Sequence, residues 1–226
     1  VTGATALGAD VTTSGTQEYT GLVTADVAAK RTLTGSTITL TGGLDGGAQA
    51  LDIAGNLVTG AAMTNITVLD VSGTASLGGS VTTADSLTID GTLTLTTNIT
   101  LDSTGNDATD DITLAAISGT DGGATESLVL DAGAAGAISV SGAVTGLEDL
   151  SLTLSDGATF AAVTLNNDFT ITGATTGANI TFNGNLSLGG DFITAASNYN
   201  IAINENITVA DQVTFTNTGL LVLGNG

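Results

Sequence analysis

Residues 85–101 read DSLTIDGTLTLTTNITL, and this stretch is the most informative about the fold. It contains three triplets in which an apolar residue, Thr and a second apolar residue follow one another, at 87–89, 93–95 and 99–101. Alternation over so few residues predicts short β-strands with one buried and one solvated face. The Asp, Gly and Asn residues between the triplets favour sharp bends. The stretch therefore predicts very short strands joined by tight turns.

The same unit recurs along the 226-residue chain, often with six residues from one unit to the next, as at Ile180, Leu186 and Phe192. Strands this short do not suit a β-sandwich. A hairpin meander with two-residue loops would also favour longer strands. The recurring unit therefore favours an array of stacked coils over a compact sandwich.

A longer internal match supports this interpretation, because residues 85–91 align with residues 167–173 at an offset of 82. Self-similarity built from strand-turn units is typical of a solenoid, in which each coil buries its apolar stripe against its neighbours. We expect an all-β fold, a parallel β-helix (β-solenoid), with residues 1–226 forming one elongated domain. Coils of about 20 residues at a spacing of about 4.8 Å would give about 11 coils and a rod about 50 Å long.

The composition is strongly acidic. Lys30 and Arg31 are the two cationic residues against 22 Asp and Glu, and the formal net charge is −20. Such a chain repels phosphate backbones and anionic membranes, so we expect neither a nucleic-acid partner nor membrane insertion. No apolar run reaches the roughly 18 to 20 residues that cross a bilayer. The scarcity of tryptic sites favours an extracellular, cell-surface location.

Catalysis is not expected. The chain contains no His and no Cys, which excludes Ser-His and Cys-His nucleophiles and zinc sites. The carboxylate pairs Glu148 with Asp149 and Asp110 with Asp111 remain, but sequence neighbours on a strand point to opposite faces. With two Tyr, no Trp and two cations, the chain also has few side chains that grip a sugar. A polysaccharide-cleaving β-helix is therefore the third-ranked function.

A calcium site is the one metal site that the residue types suggest, and otherwise no cofactor is expected. Residues 102–111 read DSTGNDATDD, a turn-rich stretch dense in oxygen ligands of the kind that calcium prefers. The spacing does not match the twelve-residue loop of a helix-loop-helix site, and solvated loop charge is the interpretation we prefer. The candidate ligands are Asp102, Asn106, Asp107, Asp110 and Asp111.

Asn residues often precede the predicted strands in glycosylation sequons. A ladder of Asn side chains at the corners of a solenoid is the explanation we prefer to glycosylation. The sequon positions are Asn65, Asn98, Asn179, Asn185 and Asn206.

Two parts of the chain resemble a known family. Residues 16–21 (TQEYTG) followed by 32–38 (TLTGSTI) resemble repeats of very large bacterial surface proteins related to filamentous haemagglutinins and autotransporter adhesins. Residues 128–165, with SVSGAV at 139–144 and DGATF at 156–160, are similar to another part of such repeats. The resemblance covers about a third of the chain. It implies a right-handed parallel β-helix at a cell surface.

The function we expect is that of a structural or adhesive element, such as a stalk, fibre, filament or lattice subunit. The main alternative is a binding module whose Thr ladder contacts ice or carbohydrate, and a host or surface glycan is a candidate ligand. The apolar stretch Leu220, Leu221, Val222 and Leu223 carries no charge and no Pro, so it predicts an unprotected strand edge. We expect such an edge to pair head to tail with a second copy, giving a homo-oligomer.

Overall fold

The fold is built almost entirely from short parallel strands. The computed structural model describes residues 1–25, 29–103, 105, 107–120 and 125–224. These residues form 28 strands of a single hydrogen-bonded sheet and include no helix.

The strands form three parallel ladders, and each coil contributes one strand or strand segment to each ladder. Ladder 1 contains β1 (Thr5–Leu7), β4 (Val23–Ala25), the start of β6 (Leu44–Thr59), the start of β7 (Met63–Val71), β9 (Val81–Thr83), β12 (Ile99–Asp102), β15 (Leu128–Asp131), β18 (Leu150–Leu154), β21 (Phe169–Ile171), β24 (Phe192–Thr194) and β27 (Val213–Thr214).

Ladder 2 contains β2 (Val11–Thr12), the start of β5 (Arg31–Leu40), the middle of β6, the end of β7, β10 (Leu87–Ile89), β13 (Ile112–Leu114), β16 (Ile138–Val140), β19 (Ala158–Phe160), β22 (Asn179–Phe182), β25 (Asn200–Ile203) and β28 (Leu221–Leu223). Ladder 3 contains β3 (Thr16–Tyr19), the ends of β5 and β6, β8 (Ala75–Leu77), β11 (Leu93–Leu95), β14 (Ile117–Gly119), β17 (Val144–Leu147), β20 (Val163–Leu165), β23 (Leu186–Leu188) and β26 (Ile207–Val209).

The structure confirms the all-β parallel solenoid and gives it about ten turns. Equivalent corner residues lie 18 positions apart between Asn56 and Thr74, but 29 apart between Asn98 and Ser127. The coils therefore vary in length around the expected 20 residues. The right-handed winding of the β-helix stays a prediction.

The interior is one continuous apolar core along the axis of the coils. In β10, Leu87 and Ile89 are fully buried while Thr88 between them faces outward, and most strands repeat this pattern. A three-residue strand thus contributes two side chains to the core and one to the surface. Buried aliphatic side chains stack on their register partners in the coils on either side, which is how a solenoid of short strands acquires a core.

Phenylalanines extend this core in the C-terminal half. Phe160 and Phe182 are register partners in ladder 2, and Phe169 and Phe192 are partners in ladder 1. Together with Phe215 they form a continuous aromatic cluster with ring centroids 5.2 to 5.9 Å apart, mostly edge to face. Such contacts add to the stabilisation that burial alone provides.

Candidate functional site

Three carboxylates from two successive coils meet at the corner between ladders 1 and 2. Asp85 lies in the short turn that joins β9 to β10. In the next coil the same corner is a longer loop, residues 103–111, which contains Asp107 and Asp110. One carboxylate oxygen from each of Asp85, Asp107 and Asp110 lies within 4.8 Å of the other two. We call these three residues the acidic cluster.

Asp110 is the central member because its side chain is fully buried. Its Oδ2 accepts a hydrogen bond from the backbone N–H of Asp107 at 2.8 Å. Its backbone carbonyl accepts one from Ser103 Oγ at 2.5 Å, which ties the end of the loop to its start. Among the residues that the structure describes, nothing donates a hydrogen bond to Asp110 Oδ1. A buried carboxylate oxygen without a partner is costly, because desolvation is not offset by any contact.

Gly105 allows this oxygen to approach the loop backbone closely because it has no side chain. A Cβ atom built on Gly105 would lie 1.8 Å from the carbonyl oxygen of Ala84 and 2.6 Å from Asp110 Oδ1. Both oxygens therefore pack closely against the glycine, and any side chain at position 105 would collide with them. Because Ala84 directly precedes Asp85, this contact lies next to the acidic cluster on the side of the earlier coil.

The two other carboxylates are more accessible and are held by short local bonds. Asp107 accepts hydrogen bonds from the backbone N–H of Thr109 at 2.8 Å and from its hydroxyl. The bond from the Thr109 hydroxyl makes the larger contribution and the backbone bond the smaller one, and together they hold the pKa of Asp107 below its usual value. Asp85 is half-buried and accepts from the N–H of Ser86 at 2.8 Å. Asp107 and Asp85 are thus held beside Asp110 by hydrogen bonds from their own turns.

Of the five candidate calcium ligands, the structure groups only Asp107 and Asp110. Asp102 is the last residue of β12 and lies in register with Asp131 of β15. Asp111 accepts a hydrogen bond from the N–H of Ala137 in the following coil at 2.8 Å. Asn106 lies outside the described residues.

Asp85 was not among the candidates. It precedes Asp107 by 22 positions, close to the predicted length of one coil. An offset of one coil between two acidic turns is the signal in the sequence that could have identified it.

The Asn side chains at the corners form the ladders that the sequence predicted. They carry hydrogen bonds from one coil to the next, between Asn179 and Asn200 at 3.0 Å and between Asn183 and Asn204 at 2.8 Å. Asn98 accepts from the N–H of Ser127 at 3.0 Å in the same manner. These Asn residues therefore serve as structural corner residues.

Asp residues take the same role at the corner before ladder 1. The N–H of Asp191 donates to Asp168 at 2.7 Å, and the N–H of Gln212 donates to Asp191 at 2.8 Å. Asp149 accepts from the N–H of Asp168 at 3.2 Å and from Ser127 Oγ at 3.0 Å. Asp149, a member of one carboxylate pair considered for catalysis, is therefore occupied in joining coils.

The two cationic side chains also bind locally. Lys30 Nζ contacts Asp52 Oδ2 at 2.6 Å, and this contact raises the pKa of Lys30. The Arg31 guanidinium donates to the carbonyl oxygens of Leu7 and Gly8 in the preceding coil, each at 3.3 Å. Both cations therefore bridge adjacent coils near the start of the rod.

The last described coil leaves its part of the core uncovered. Leu223 is 58% exposed, whereas its register partner Ile203, one coil earlier, is 1% exposed. Val213 is 42% exposed although its partner Phe192 is fully buried. The predicted edge residues follow the same trend, with Leu220 at 62% and Val222 at 41%, while Leu221 is partly buried against the core. Leu223 and Val213 are exposed because no further coil in the described chain covers these core positions, whereas Val222 lies in register with Ala202 on the outward side of its strand.

The first coil is closed differently. Gln17 occupies an inward position in register with Ile38 and is 5% exposed. Its amide donates to the carbonyl oxygens of Val11 at 3.1 Å and Thr34 at 2.7 Å, and its oxygen accepts from Tyr19 at 3.0 Å. A saturated polar layer therefore lies over the core at this end, in contrast to the apolar last coil.

Comparisons with known proteins add no relative: no family model matches the chain, and neither the curated proteins nor the solved structures give a match. In the described ranges there is no helix with the length and apolarity needed to span a membrane.

Proposed function

We propose that this protein is a non-enzymatic structural element of a cell surface, a rod that acts as part of a stalk, fibre or lattice. The observation that supports this most is the unbroken apolar core that runs through the coils, closed on three sides by parallel ladders. Every coil is joined to its neighbours by main-chain bonds and by polar corner side chains. An architecture of this kind provides length and stiffness.

The surface of the rod favours this role over the ice-binding alternative. In ladder 2 the outward position is occupied in register by Thr88, Thr113, Ser139, Thr159 and Thr181. Because most strands have three residues, each presents one outward side chain, and the hydroxyls of this ladder form a single row. A two-dimensional lattice match needs more than one row, so thermal hysteresis is the property that would favour the alternative.

An extracellular location fits this proposal. The high negative charge and the resemblance to bacterial surface repeats both support it, and a surface glycan is the ligand that an adhesive role would require. One open depression on the rod, of about 250 Å³, is lined by Ala48, Asn65, Ile66, Thr67, Thr82, Thr83 and Ala84. This lining does not include the acidic pair or aromatic platform that a sugar-cleaving site uses.

We further propose that copies associate end to end through the last coil. Leu223 and Val213 occupy core positions there and are exposed, and the unpaired edge of β28 can accept one more parallel strand. A contact between the last coil of one copy and the first coil of another is heterologous and does not close, so it produces a filament. The net charge of −20 opposes side-by-side association.

A pair of variants tests this proposal on the 226-residue chain. Leu223→Lys places a charge on the exposed apolar edge, and Thr164→Lys places the same charge on the outward face of β20. We expect light scattering and negative-stain microscopy to show filaments for the parent chain and for Thr164→Lys, and single rods for Leu223→Lys. Single rods in all three samples, or equal filaments in all three, would show that this edge does not drive assembly.

A further inference from the structure

We propose that the acidic cluster binds one calcium ion, with Asp85, Asp107 and Asp110 as its carboxylate ligands. This site differs from the set of ligands that the sequence alone suggests, because it takes Asp85 from the preceding coil and leaves out Asp102 and Asp111. A calcium ion at this position would join two successive coils at the corner where the loop is longest.

The distances between the three carboxylates suit a single ion. Oxygens that bind one calcium ion at about 2.4 Å lie no more than about 4.8 Å from one another. The three oxygens lie within 4.8 Å of one another. The cluster therefore needs only small adjustments to hold an ion of this size.

The strongest argument comes from Asp110, because acidic clusters on protein surfaces are common without an ion. Asp110 is fully buried, and its Oδ1 has no hydrogen-bond partner in the described chain. Buried carboxylates are normally paired with a cation, hydrogen-bonded or bound to a metal. The two cationic side chains are engaged elsewhere, with Lys30 on Asp52 and Arg31 on Leu7 and Gly8. A metal ion is therefore the partner that best satisfies Asp110.

The surroundings supply a further oxygen. The Ala84 carbonyl oxygen and Asp110 Oδ1 both pack closely against Gly105, so a backbone oxygen lies beside the buried carboxylate. Calcium accepts backbone carbonyl oxygens and water beside carboxylates and tolerates irregular geometry, whereas magnesium requires a near-ideal octahedron at shorter distances. An irregular set of three carboxylates with a nearby carbonyl oxygen thus favours calcium over magnesium.

Calcium titration of the metal-free 226-residue chain tests the site, with isothermal calorimetry for binding and thermal unfolding for stability. We expect one bound ion per chain and a rise in melting temperature of about 5–10 °C at a hundredfold excess over Kd. Asp110→Asn and Asp85→Asn should each weaken binding at least about tenfold, because calcium affinity depends on the number of ligand charges. Magnesium at the same concentration should give a smaller rise.

Asp90→Asn is the matched control, because Asp90 is exposed, follows Asp85 by five residues and lies outside the cluster. It should bind calcium as the parent chain does. The metal-free Asp110→Asn protein should melt no lower than the parent, since the change removes a buried charge, and this separates loss of the site from loss of the fold. The proposal is wrong if calcium does not bind, or if Asp110→Asn and Asp85→Asn bind it as tightly as Asp90→Asn.

Discussion

At the scale of single residues, the alternation of apolar and hydroxyl side chains determines which side chains are buried in the core. Leu152 in β18 is fully buried and lies in register with Leu130 in one neighbouring coil and Ile171 in the other. Ser151, one position earlier, is only half-buried and lies in register with Thr170. A charged side chain would therefore be buried in the core at position 152 but would reach water at position 151.

Replacing Leu152 with Asp should destabilise the rod strongly, whereas Ser151→Asp should not. An unpaired carboxylate in the core costs several kcal/mol, and the coils on both sides lose a packing partner. At about 2–4 °C per kcal/mol for a chain of this size, we expect the melting temperature of Leu152→Asp to fall by at least about 10 °C. Ser151→Asp should stay within about 2 °C of the parent chain. Similar melting temperatures for the two variants in a thermal unfolding scan would contradict the assigned orientation of β18.

At the scale of strands and turns, the spacing of six residues in the sequence corresponds to one side of the coil. Leu87, Leu93 and Ile99 begin successive strands in ladders 2, 3 and 1. Three such steps equal 18 residues, which is the offset between the register partners Leu69 and Leu87. This period was readable from the sequence because each side needs one triplet of alternating residues and one tight turn.

The longer match at an offset of 82 has a different explanation. Residues 87–89 lie in ladder 2, but the matching residues 169–171 lie in ladder 1. The match thus reflects the strand-turn unit that all three ladders share, and it does not relate equivalent positions of the coil. Sequence similarity alone could not separate the ladders, because every side presents the same pattern of buried and exposed residues.

The candidate metal site shows the same limit. The acidic stretch at 102–111 was recognised from residue types, and Asp107 and Asp110 do come together. Asp85 was missed because its place beside them depends on how the coils stack, and coil length varies from 18 to 29 residues. A ligand set that spans two coils can be derived from sequence only when each residue has been assigned to its coil and corner.

Asp131 in β15 lies in register with Asp102 in β12, and the ionisation of Asp131 opposes folding. Burial is the main cause that raises the pKa of Asp131. The hydrogen bond from the N–H of Gly133 opposes this shift, and the nearby Asp102 adds a smaller increase. A carboxyl group whose pKa is higher in the folded state than in the unfolded state is destabilising when ionised. This cost is present above the raised pKa and disappears as the pH falls below the unfolded value of about 3.9.

Asp131→Asn should therefore stabilise the protein at pH 7. The Asn side chain keeps an oxygen that accepts the bond from Gly133, 3.1 Å long in the parent chain, and removes the charge. Because Asp131 is partly solvated, screening limits the gain to about 1–3 °C. Melting curves of both proteins from pH 7 to pH 3.5 should show the gap closing as the pH falls. A gap that is constant with pH, or a less stable variant at pH 7, would contradict the sign of the effect.

At the scale of the whole molecule, the first and last described coils differ. The first coil places Gln17 over the core with its amide fully bonded, and the last coil leaves Leu223 and Val213 exposed. In a linear array each coil is stabilised by its two neighbours, so a coil with one neighbour depends on what else covers it. These two coils should consequently differ in local stability within the 226-residue chain.

Hydrogen exchange should reveal this polarity as a gradient along the rod. Amides of central strands such as β13 and β16 should open only with global unfolding, while those of β26 and β28 should exchange faster by at least about a hundredfold through local fraying. Amides of β3 should fall between the two, because the Gln17–Tyr19 layer holds the first coil. The measurement is best made by exchange mass spectrometry on Leu223→Lys at low concentration, so that association cannot protect the last coil. Equal protection of β3 and β26 would mean that the polar layer adds no local stability. Protection of β28 equal to that of β13 would mean that the last coil does not open independently of the rest.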